Sequence, residues 1–196
     1  MIERDDMTGV VLAGGLGRRM RSDGQGINKA LRPFRGRPMI DHVIERLRPQ
    51  VGALLITCAN ADAQAFAARG LPVIPDAIAG HPGPLAGLHA GLQAADTRWV
   101  LTAPCDCPFL PPDLAQRLAG AVTAGTDLAV VHTGEQAHPV FMLAACRLLD
   151  DLADFLARGG RKIDLWYDTL AVARVDFGDE HPFRNINTPE DLDRFT

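Results

Sequence analysis

The sequence has little that would direct it to a membrane, an oxidising compartment or nucleic acid. Its 196 residues include four cysteines, one tyrosine and only 6% aromatic residues. No apolar run approaches the roughly 18 residues needed to span a bilayer, and the acidic N-terminus lacks an apolar signal segment. The net charge of −4 argues against a general nucleic-acid binder, and the few aromatic residues offer no stacking surface for single strands. We therefore expect a cytoplasmic protein with no nucleic acid or membrane as partner.

The cysteines and serines also exclude several kinds of chemistry. Cys105 and Cys107 flank Asp106, but no second cysteine pair or suitably spaced histidines complete a tetrahedral zinc site. Structural thiols are therefore favoured over metal ligands. The sequence has no Gly-x-Ser-x-Gly motif and no plausible Cys/His pair, so covalent hydrolase chemistry has little support.

Positive charge is concentrated in one segment of this acidic chain. Residues 14–38 contain seven arginine or lysine residues against the single anion Asp23, a local net charge of +6. A confined basic patch suits a small polyanion better than a long one. The patch begins where a strand is predicted to end and is rich in glycine, which favours phosphate binding over a merely solvated basic face.

The order of apolar segments predicts the fold class. Buried strands and helices alternate at the spacing of βαβ units, which is typical of a mostly parallel sheet with helices on both faces. Strands are predicted over 9–13, 53–57, 71–74, 99–103, 128–132, 140–143 and 172–177. One helix is predicted to begin at Pro38, and others are predicted over 61–68, 85–95, 112–122 and 147–156. Gly70 is expected to end the helix over 61–68, and Gly159–Lys162 to end the helix over 147–156. We expect one three-layer α/β/α domain over 7–196, preceded by a flexible N-terminal extension over 1–6.

Ligands of open α/β sheets bind beyond the carboxyl ends of the strands. The segments that follow the first four predicted strands are a glycine-rich loop, Cys58-Ala-Asn60, Asp76 and Asp106. Taken singly, Asp76 and Asp106 could each be turn aspartates that bond their own backbone. Alternatively they could serve a Mg²⁺–phosphate site, because Mg²⁺ is usually held by one or two carboxylates together with substrate phosphates.

The glycine-rich loop, residues 12–20, matches neither of the two familiar phosphate motifs. Met20 stands where the dinucleotide fingerprint has its third glycine, and Lys29 lacks the neighbours of a P-loop lysine. What remains is glycine backbone that can approach a ligand closely and point N–H groups at phosphate oxygens. The arginines of the loop would add bidentate contacts to the same oxygens.

Several motifs together resemble one known family along essentially the whole chain. They are Val10-Val-Leu-Ala-Gly-Gly-Leu-Gly-Arg-Arg-Met20, Asn28-Lys29, Gly36-Arg-Pro-Met39, Pro82-Gly-Pro-Leu-Ala-Gly87, Pro104-Cys-Asp-Cys-Pro108 and Asn185-Ile-Asn-Thr-Pro-Glu-Asp-Leu192. The first motif is similar to the signature of the GT-A-like nucleotidyltransferases. The full set resembles the molybdenum cofactor guanylyltransferases, which implies a Rossmann-like nucleotidyltransferase fold and transfer of GMP from GTP to Mo-molybdopterin.

The resemblance also implies roles for individual residues. Catalytic roles fall to Lys29, Arg19 and Asp106, with Lys29 and Arg19 on the triphosphate and Asp106 on Mg²⁺. Nucleotide contacts fall to Leu12, Ala13, Gly14, Gly15, Lys29, Asn60, Asp76, Pro84, Leu85, Gly87 and Asp106. Candidates for the acceptor side are Asn185, Asn187, Arg161 and Lys162, for which a helix cap and a turn are equally good readings.

Three departures from the family pattern accompany the resemblance. Cys58 stands where the family has a strand-two amide, so either that contact is lost or Asn60 replaces it. Asn28 replaces a typical aspartate, and the stretch Ser22–Ile27 before Lys29 is longer than usual. The implied partners are GTP, Mo-molybdopterin and, transiently, molybdopterin-handling proteins or molybdoenzymes.

Two other interpretations of the same residues stay open. A cytidylyltransferase or a sugar-phosphate nucleotidyltransferase would share the fold, although resembling cytidylyltransferases usually have alanine where Gly15 stands. A carrier that binds a nucleotide or molybdopterin without catalysis is the alternative from a different class.

Overall fold

The computed structural model describes residues 1–14, 28–59, 63–76, 78, 83–187 and 191. Nine strands occur in these ranges: β1 (Met7–Leu12), β2 (Pro33–Phe34), β3 (Arg37–Pro38), β4 (Ala53–Cys58), β5 (Val73–Pro75), β6 (Trp99–Pro104), β7 (Leu128–Thr133), β8 (Gln136–Ala145) and β9 (Val172–Asp176). The α-helices in these ranges are α1 (Met39–Leu47), α2 (Ala63–Phe66), α3 (Pro84–Ala94), α4 (Leu114–Gly120), α5 (Leu149–Ala157) and α6 (Ile163–Tyr167).

Seven of the strands form one sheet in the order β5-β4-β1-β6-β8-β7-β9. β5, β4, β1 and β6 run parallel, β8 is antiparallel to β6 and β7, and β9 is parallel to β7. The carboxyl ends of the parallel strands β5, β4, β1 and β6 therefore meet at one edge of the sheet, hereafter the carboxyl edge. The mostly parallel α/β fold expected from the sequence is confirmed.

Helices cover both faces of the sheet and give the three layers. One core cluster joins the sheet to α1 and α4 through residues such as Ile40 and Leu114, and the other joins it to α3, α5 and α6 through residues such as Leu88 and Trp166. The alternation of side chains along β1 supplies both clusters, because Val11 belongs to the first and Val10 to the second. Each valine is fully buried, which contributes about 1.5–3 kcal/mol per side chain.

The bounds predicted from the sequence agree with those of the structure to within two or three residues for most elements. Pro38 precedes α1 as predicted, and Gly70 has the left-handed φ of 63° expected of a glycine after a helix. β8 extends from Gln136, four residues earlier than predicted, because its first half lacks a long apolar run. The short helix α6 and the β2–β3 hairpin were not predicted, since five-residue and two-residue elements leave too little periodicity to detect.

The N-terminal residues, which we expected to form a flexible extension, make several contacts with the rest of the fold. Residues Arg4–Asp6 form a short 3₁₀ turn, and Gly52 N–H donates to the carbonyl oxygen of Arg4 at 2.8 Å. The Arg4 guanidinium donates to the Val51 carbonyl, and Asp6 pairs with Arg98 at 2.9 Å. These contacts join the segment to the rest of the fold, whereas the domain boundary at residue 7 stays a prediction.

Candidate functional site

Lys29 is the first residue of a short 3₁₀ helix that ends at Leu31. The Asn28 side chain accepts a hydrogen bond from the backbone N–H of Ala30 at 2.9 Å, which satisfies a donor at the start of the turn. Ala30 is fully buried in the core cluster shared with α1. The turn is therefore anchored on one side, and Lys29 is presented from a fixed backbone.

Lys29 and Asp106 form an ion pair at the carboxyl edge. The Lys29 Nζ atom lies 2.5 Å from Asp106 Oδ2, and the two side chains are only 15% and 14% exposed, so solvent screens the pair weakly. Asp106 is the second residue after β6, and the N–H of Cys105, between them, donates to the Leu12 carbonyl at 3.1 Å. This bond ties the turn that holds Asp106 to the end of β1.

Two asparagines from the C-terminal part of the chain complete this arrangement. The amide nitrogen of Asn185 lies 3.2 Å from each carboxylate oxygen of Asp106, and Lys29 also donates to Oδ1 of Asn187. Between them, the backbone N–H of Ile186 donates to the Asp106 carbonyl at 2.9 Å. We call Lys29, Asp106, Asn185 and Asn187 the lysine–aspartate group.

Cys107 lies beneath this group and was not predicted as a site residue. Its thiol is fully buried, with Asn185 Oδ1 at 3.4 Å and Asp106 Oδ1 at 3.7 Å. Burial, followed by the neighbouring Asp106 charge, raises the pKa of the Cys107 thiol well above its usual range. The thiol is therefore a neutral donor and not a reactive thiolate.

A second contact at the carboxyl edge joins Gly14, just beyond β1, to Asp76, just beyond β5. A Cβ atom on Gly14 would lie 2.4 Å from Asp76 Oδ2, so a larger residue would have to displace this carboxylate oxygen. The backbone N–H of Asp76 donates to the Cys58 carbonyl at 2.8 Å, which fixes the residue at the end of β4. We call Gly14 and Asp76 the glycine–aspartate contact.

The Asp76 carboxylate is in an unusual electrostatic position. Among the described residues its Oδ1 atom is buried without a hydrogen-bond partner, as is Oγ1 of Thr57 at the end of β4. Burial raises the pKa of Asp76 to about 6. Buried polar atoms without partners are unfavourable, so this part of the edge suits a ligand that supplies hydrogen bonds.

The start of α3 reaches the same edge because of two glycines. A Cβ on Gly87 would lie 2.8 Å from Thr57 Oγ1 and 2.9 Å from the Leu12 side chain, and one on Gly91 would lie 2.8 Å from Val10. Their lack of side chains lets α3 pack directly on β1 and β4. Gly87 in the first turn of α3, which begins with Pro84 and Leu85, is thereby placed beside Leu12.

Some predicted site residues belong neither to the lysine–aspartate group nor to the glycine–aspartate contact. Gly15, Arg19, Asn60 and the stretch Ser22–Ile27 lie outside the described residues, so the choice between Cys58 and Asn60 stays open. Arg161 donates to the carbonyl oxygens of Leu156 at 2.8 Å and Gly160 at 2.5 Å, at the end of α5. Lys162 is exposed and precedes α6.

Comparison with known proteins gives consistent results over the length of the chain. The family model of the MobA-like NTP transferase domain matches residues 9–170. A molybdenum cofactor guanylyltransferase of Cupriavidus pinatubonensis is 48% identical over 198 residues, which cover 98% of this chain and 97% of the relative. One from Ralstonia pickettii is 45% identical, with the same coverage of both chains.

A solved structure shows the same fold. Molybdopterin-guanine dinucleotide biosynthesis protein A of Archaeoglobus fulgidus superimposes with a TM-score of 0.80 at 27% identity and covers 96% of each chain. Within the described residues, no helix combines the length and apolar character needed to cross a membrane.

Proposed function

The chain belongs to the family of MobA-like NTP transferase domains, and we propose that its lysine–aspartate group is the centre of the reaction. The enzyme transfers GMP from GTP in the synthesis of the molybdenum cofactor dinucleotide. The main support for this location of the reaction is that Lys29, Asp106, Asn185 and Asn187 meet at the carboxyl edge. Ligands of open α/β sheets bind at this edge.

The reaction is a displacement at the α-phosphorus of GTP. An oxygen of the terminal phosphate of Mo-molybdopterin forms a new bond to this phosphorus while the bond to the oxygen bridging the α- and β-phosphorus atoms breaks. Pyrophosphate leaves with the electron pair. No protein nucleophile is needed, so the enzyme contributes alignment and charge neutralisation.

Lys29 supplies the positive charge for the phosphates. In the structure its ammonium group is held by Asp106 and Asn187, so the protein itself positions the charge. Phosphate oxygens can replace the Asn187 contact without moving the backbone of the capped turn. Arg19 is proposed as a second cation on the triphosphate because the resemblance places it in the glycine-rich loop.

The glycine–aspartate contact is the proposed nucleotide side. Leu12, Ala13, Gly14 and Gly15 would approach the nucleotide with their backbone, while Asp76 Oδ1 and Thr57 Oγ1 have hydrogen-bonding capacity to spare. Pro84, Leu85 and Gly87 would shape the guanine pocket from the start of α3, with Asn60 beside the nucleotide. The hydroxyl and N–H groups of a nucleoside are suitable partners for these buried acceptors.

We propose Mg²⁺ as the cofactor, held by Asp106. The donor chemistry fits, because Mg²⁺ prefers oxygen ligands and is commonly bound by one or two carboxylates plus substrate phosphates. Within the described ranges no cluster of three or more metal-binding side chains occurs, so phosphates and water would supply the remaining ligands. When bound, the ion would neutralise charge on the phosphates, and Asn185 would hold the Asp106 carboxylate in place to receive it.

The contacts of Asn185 and Asn187 change the acceptor roles that we expected for them from the sequence. Asn185 and Asn187 contact Asp106 and Lys29, so we place them at the reacting phosphates, with the pterin ring beyond them. Arg161 and Lys162 stay candidates for the acceptor on the resemblance alone. A cytoplasmic location and transient contacts with molybdopterin-handling proteins or molybdoenzymes likewise remain proposals.

Nucleotide titration followed by a product assay tests the proposed function. We expect GTP with Mg²⁺ to raise the melting temperature more than CTP, ATP or UTP, and pyrophosphate to appear when Mo-molybdopterin is added. A preference for CTP would favour the cytidylyltransferase alternative. Nucleotide binding without pyrophosphate release would favour the non-catalytic carrier.

A further inference from the structure

The buried thiol of Cys107 is within reach of three hydrogen-bond acceptors in two neighbouring segments. Asn185 Oδ1 is the nearest at 3.4 Å, while Asp106 Oδ1 and the Phe183 carbonyl oxygen both lie at 3.7 Å. A thiol has one proton to donate. The shortest contact therefore assigns it to the amide oxygen of Asn185.

An asparagine side chain is asymmetric, with an acceptor oxygen on one side and an NH₂ donor on the other. Here the oxygen of Asn185 faces the thiol, and its nitrogen lies 3.2 Å from each oxygen of Asp106. The reverse orientation would place the amide oxygen against a carboxylate, where both atoms are acceptors. The thiol and the carboxylate thus favour the same orientation of one amide.

We propose that Cys107 is a positioning residue that holds the Asn185 amide in the orientation that donates to Asp106. Asp106 then keeps its Oδ2 atom directed at Lys29, 2.5 Å away. The inference deepens the proposed function, on which its kinetic consequence rests. The Ile186 N–H bond to the Asp106 carbonyl fixes the backbone of the same segment, so the proposed role of Cys107 concerns the Asn185 side chain.

The proposal distinguishes a hydrogen-bond donor from a residue that merely fills space. Serine supplies an O–H donor with a smaller atom, alanine supplies neither donor nor volume, and valine supplies volume alone. A structural role would tolerate valine best, whereas a positioning role would tolerate serine best. The half-buried Cys146, which lies just after β8, offers a matched cysteine control.

The kinetic test measures GMP transfer in the full-length enzyme with GTP, Mo-molybdopterin and Mg²⁺. We expect Cys107→Ser to stay within about threefold of wild-type kcat, and Cys107→Val and Cys107→Ala to lose roughly three- to tenfold, the effect of one modest hydrogen bond. KM for GTP should change little, and Cys146→Ala should match the wild type. In an Asn185→Ala background, Cys107→Ala should cause no further loss.

A second readout does not require turnover. The side-chain amide signal of Asn185, identified by its disappearance in Asn185→Ala, should shift in Cys107→Ala and return towards its wild-type position in Cys107→Ser. An unchanged signal in Cys107→Ala, a Cys107→Val enzyme with wild-type kcat or an equal loss in the Asn185→Ala background would overturn the proposal. If the wild-type protein shows the amide signal but no GMP transfer, the proposed function fails while the positioning contact stands.

Discussion

The two carboxylates at the carboxyl edge are held in opposite ways. Asp106 accepts hydrogen bonds from Lys29 and Asn185, whereas in the described part of the chain Asp76 Oδ1 is buried without a partner. The protein therefore supplies hydrogen bonds to the first carboxylate, whereas the second has an acceptor that a ligand could use. The difference indicates that the lysine–aspartate group is prepared for catalysis and that the glycine–aspartate contact is prepared for binding.

The two regions also differ in how the chain builds them. The lysine–aspartate group joins residues 77 and 158 positions apart, so it exists only when the whole domain is folded. The glycine–aspartate contact follows directly from two parallel strand ends and the lack of a side chain on Gly14. Substitutions in the first region should therefore act on kcat, and substitutions in the second on KM.

The largest effect among the variants that separate the two regions is expected for Lys29→Met. Methionine keeps the length of the side chain but removes the ammonium group that neutralises the phosphates. We expect kcat to fall by about 10²–10³-fold, the usual loss for one charge-stabilising group in an active site. The Mg²⁺ requirement should not increase, because Asp106 loses a competing cation, and Mg²⁺ titration of the initial rate measures this directly. A variant that differs from the wild type only in KM for GTP would remove the distinction between the two regions.

An intermediate effect is expected for Gly14→Ala. The new Cβ would lie 2.4 Å from Asp76 Oδ2, and overpacking of this kind costs about 1–3 kcal/mol. We expect KM for GTP to rise roughly tenfold with little change in kcat, measured by steady-state pyrophosphate release. Gly120→Ala is the matched control, because a Cβ there meets nothing within 4 Å. An equal KM for GTP in the two variants would show that GTP binding does not depend on the close approach of Asp76 to Gly14.

For Asp76→Asn the expected effect is on stability, and it should depend on pH. The pKa of Asp76, about 6 in the folded protein, is raised above the ordinary 3.8. The folded state thus binds the proton more tightly than the unfolded state, and the wild-type free energy of unfolding falls as pH rises through this window. The variant lacks this contribution, so it should be more stable relative to the wild type at pH 7 than at pH 4. Urea unfolding of both proteins at both values measures the difference, and a constant difference would mean that Asp76 has a partner in solution.

The parts of the site that could be predicted from sequence are those set by local patterns. Strand ends followed by Gly14, Asp76 and Asp106 indicated the carboxyl edge, because parallel strands place their ends together. The roles of Asn185 and Cys107 could not be obtained in this way. The contacts of Asn185 to Asp106 and to Cys107 join the segment after β6 to the segment after β9, and no periodicity in either segment indicates that they are close.

The fold shows the same division. Long apolar strands such as β1 and β4 were predictable because each is buried on both faces and begins just after a polar residue or a glycine. The β2–β3 hairpin depends on a turn in which Arg35 and Gly36 both have positive φ, 48° and 79°. Glycine is common in such a turn but arginine is not. Only one of the two turn residues was therefore typical of a hairpin.

The most direct test of the central claim compares Asp106→Asn with Asp113→Asn in pyrophosphate release from GTP and Mo-molybdopterin. Asp113 precedes α4 and makes no capping hydrogen bond with its side chain, so it controls for the same substitution nearby. We predict that Asp106→Asn abolishes Mg²⁺-dependent turnover while circular dichroism shows an intact fold, and that Asp113→Asn retains the wild-type rate. Normal pyrophosphate release by Asp106→Asn would contradict the assignment of the lysine–aspartate group as the reaction centre.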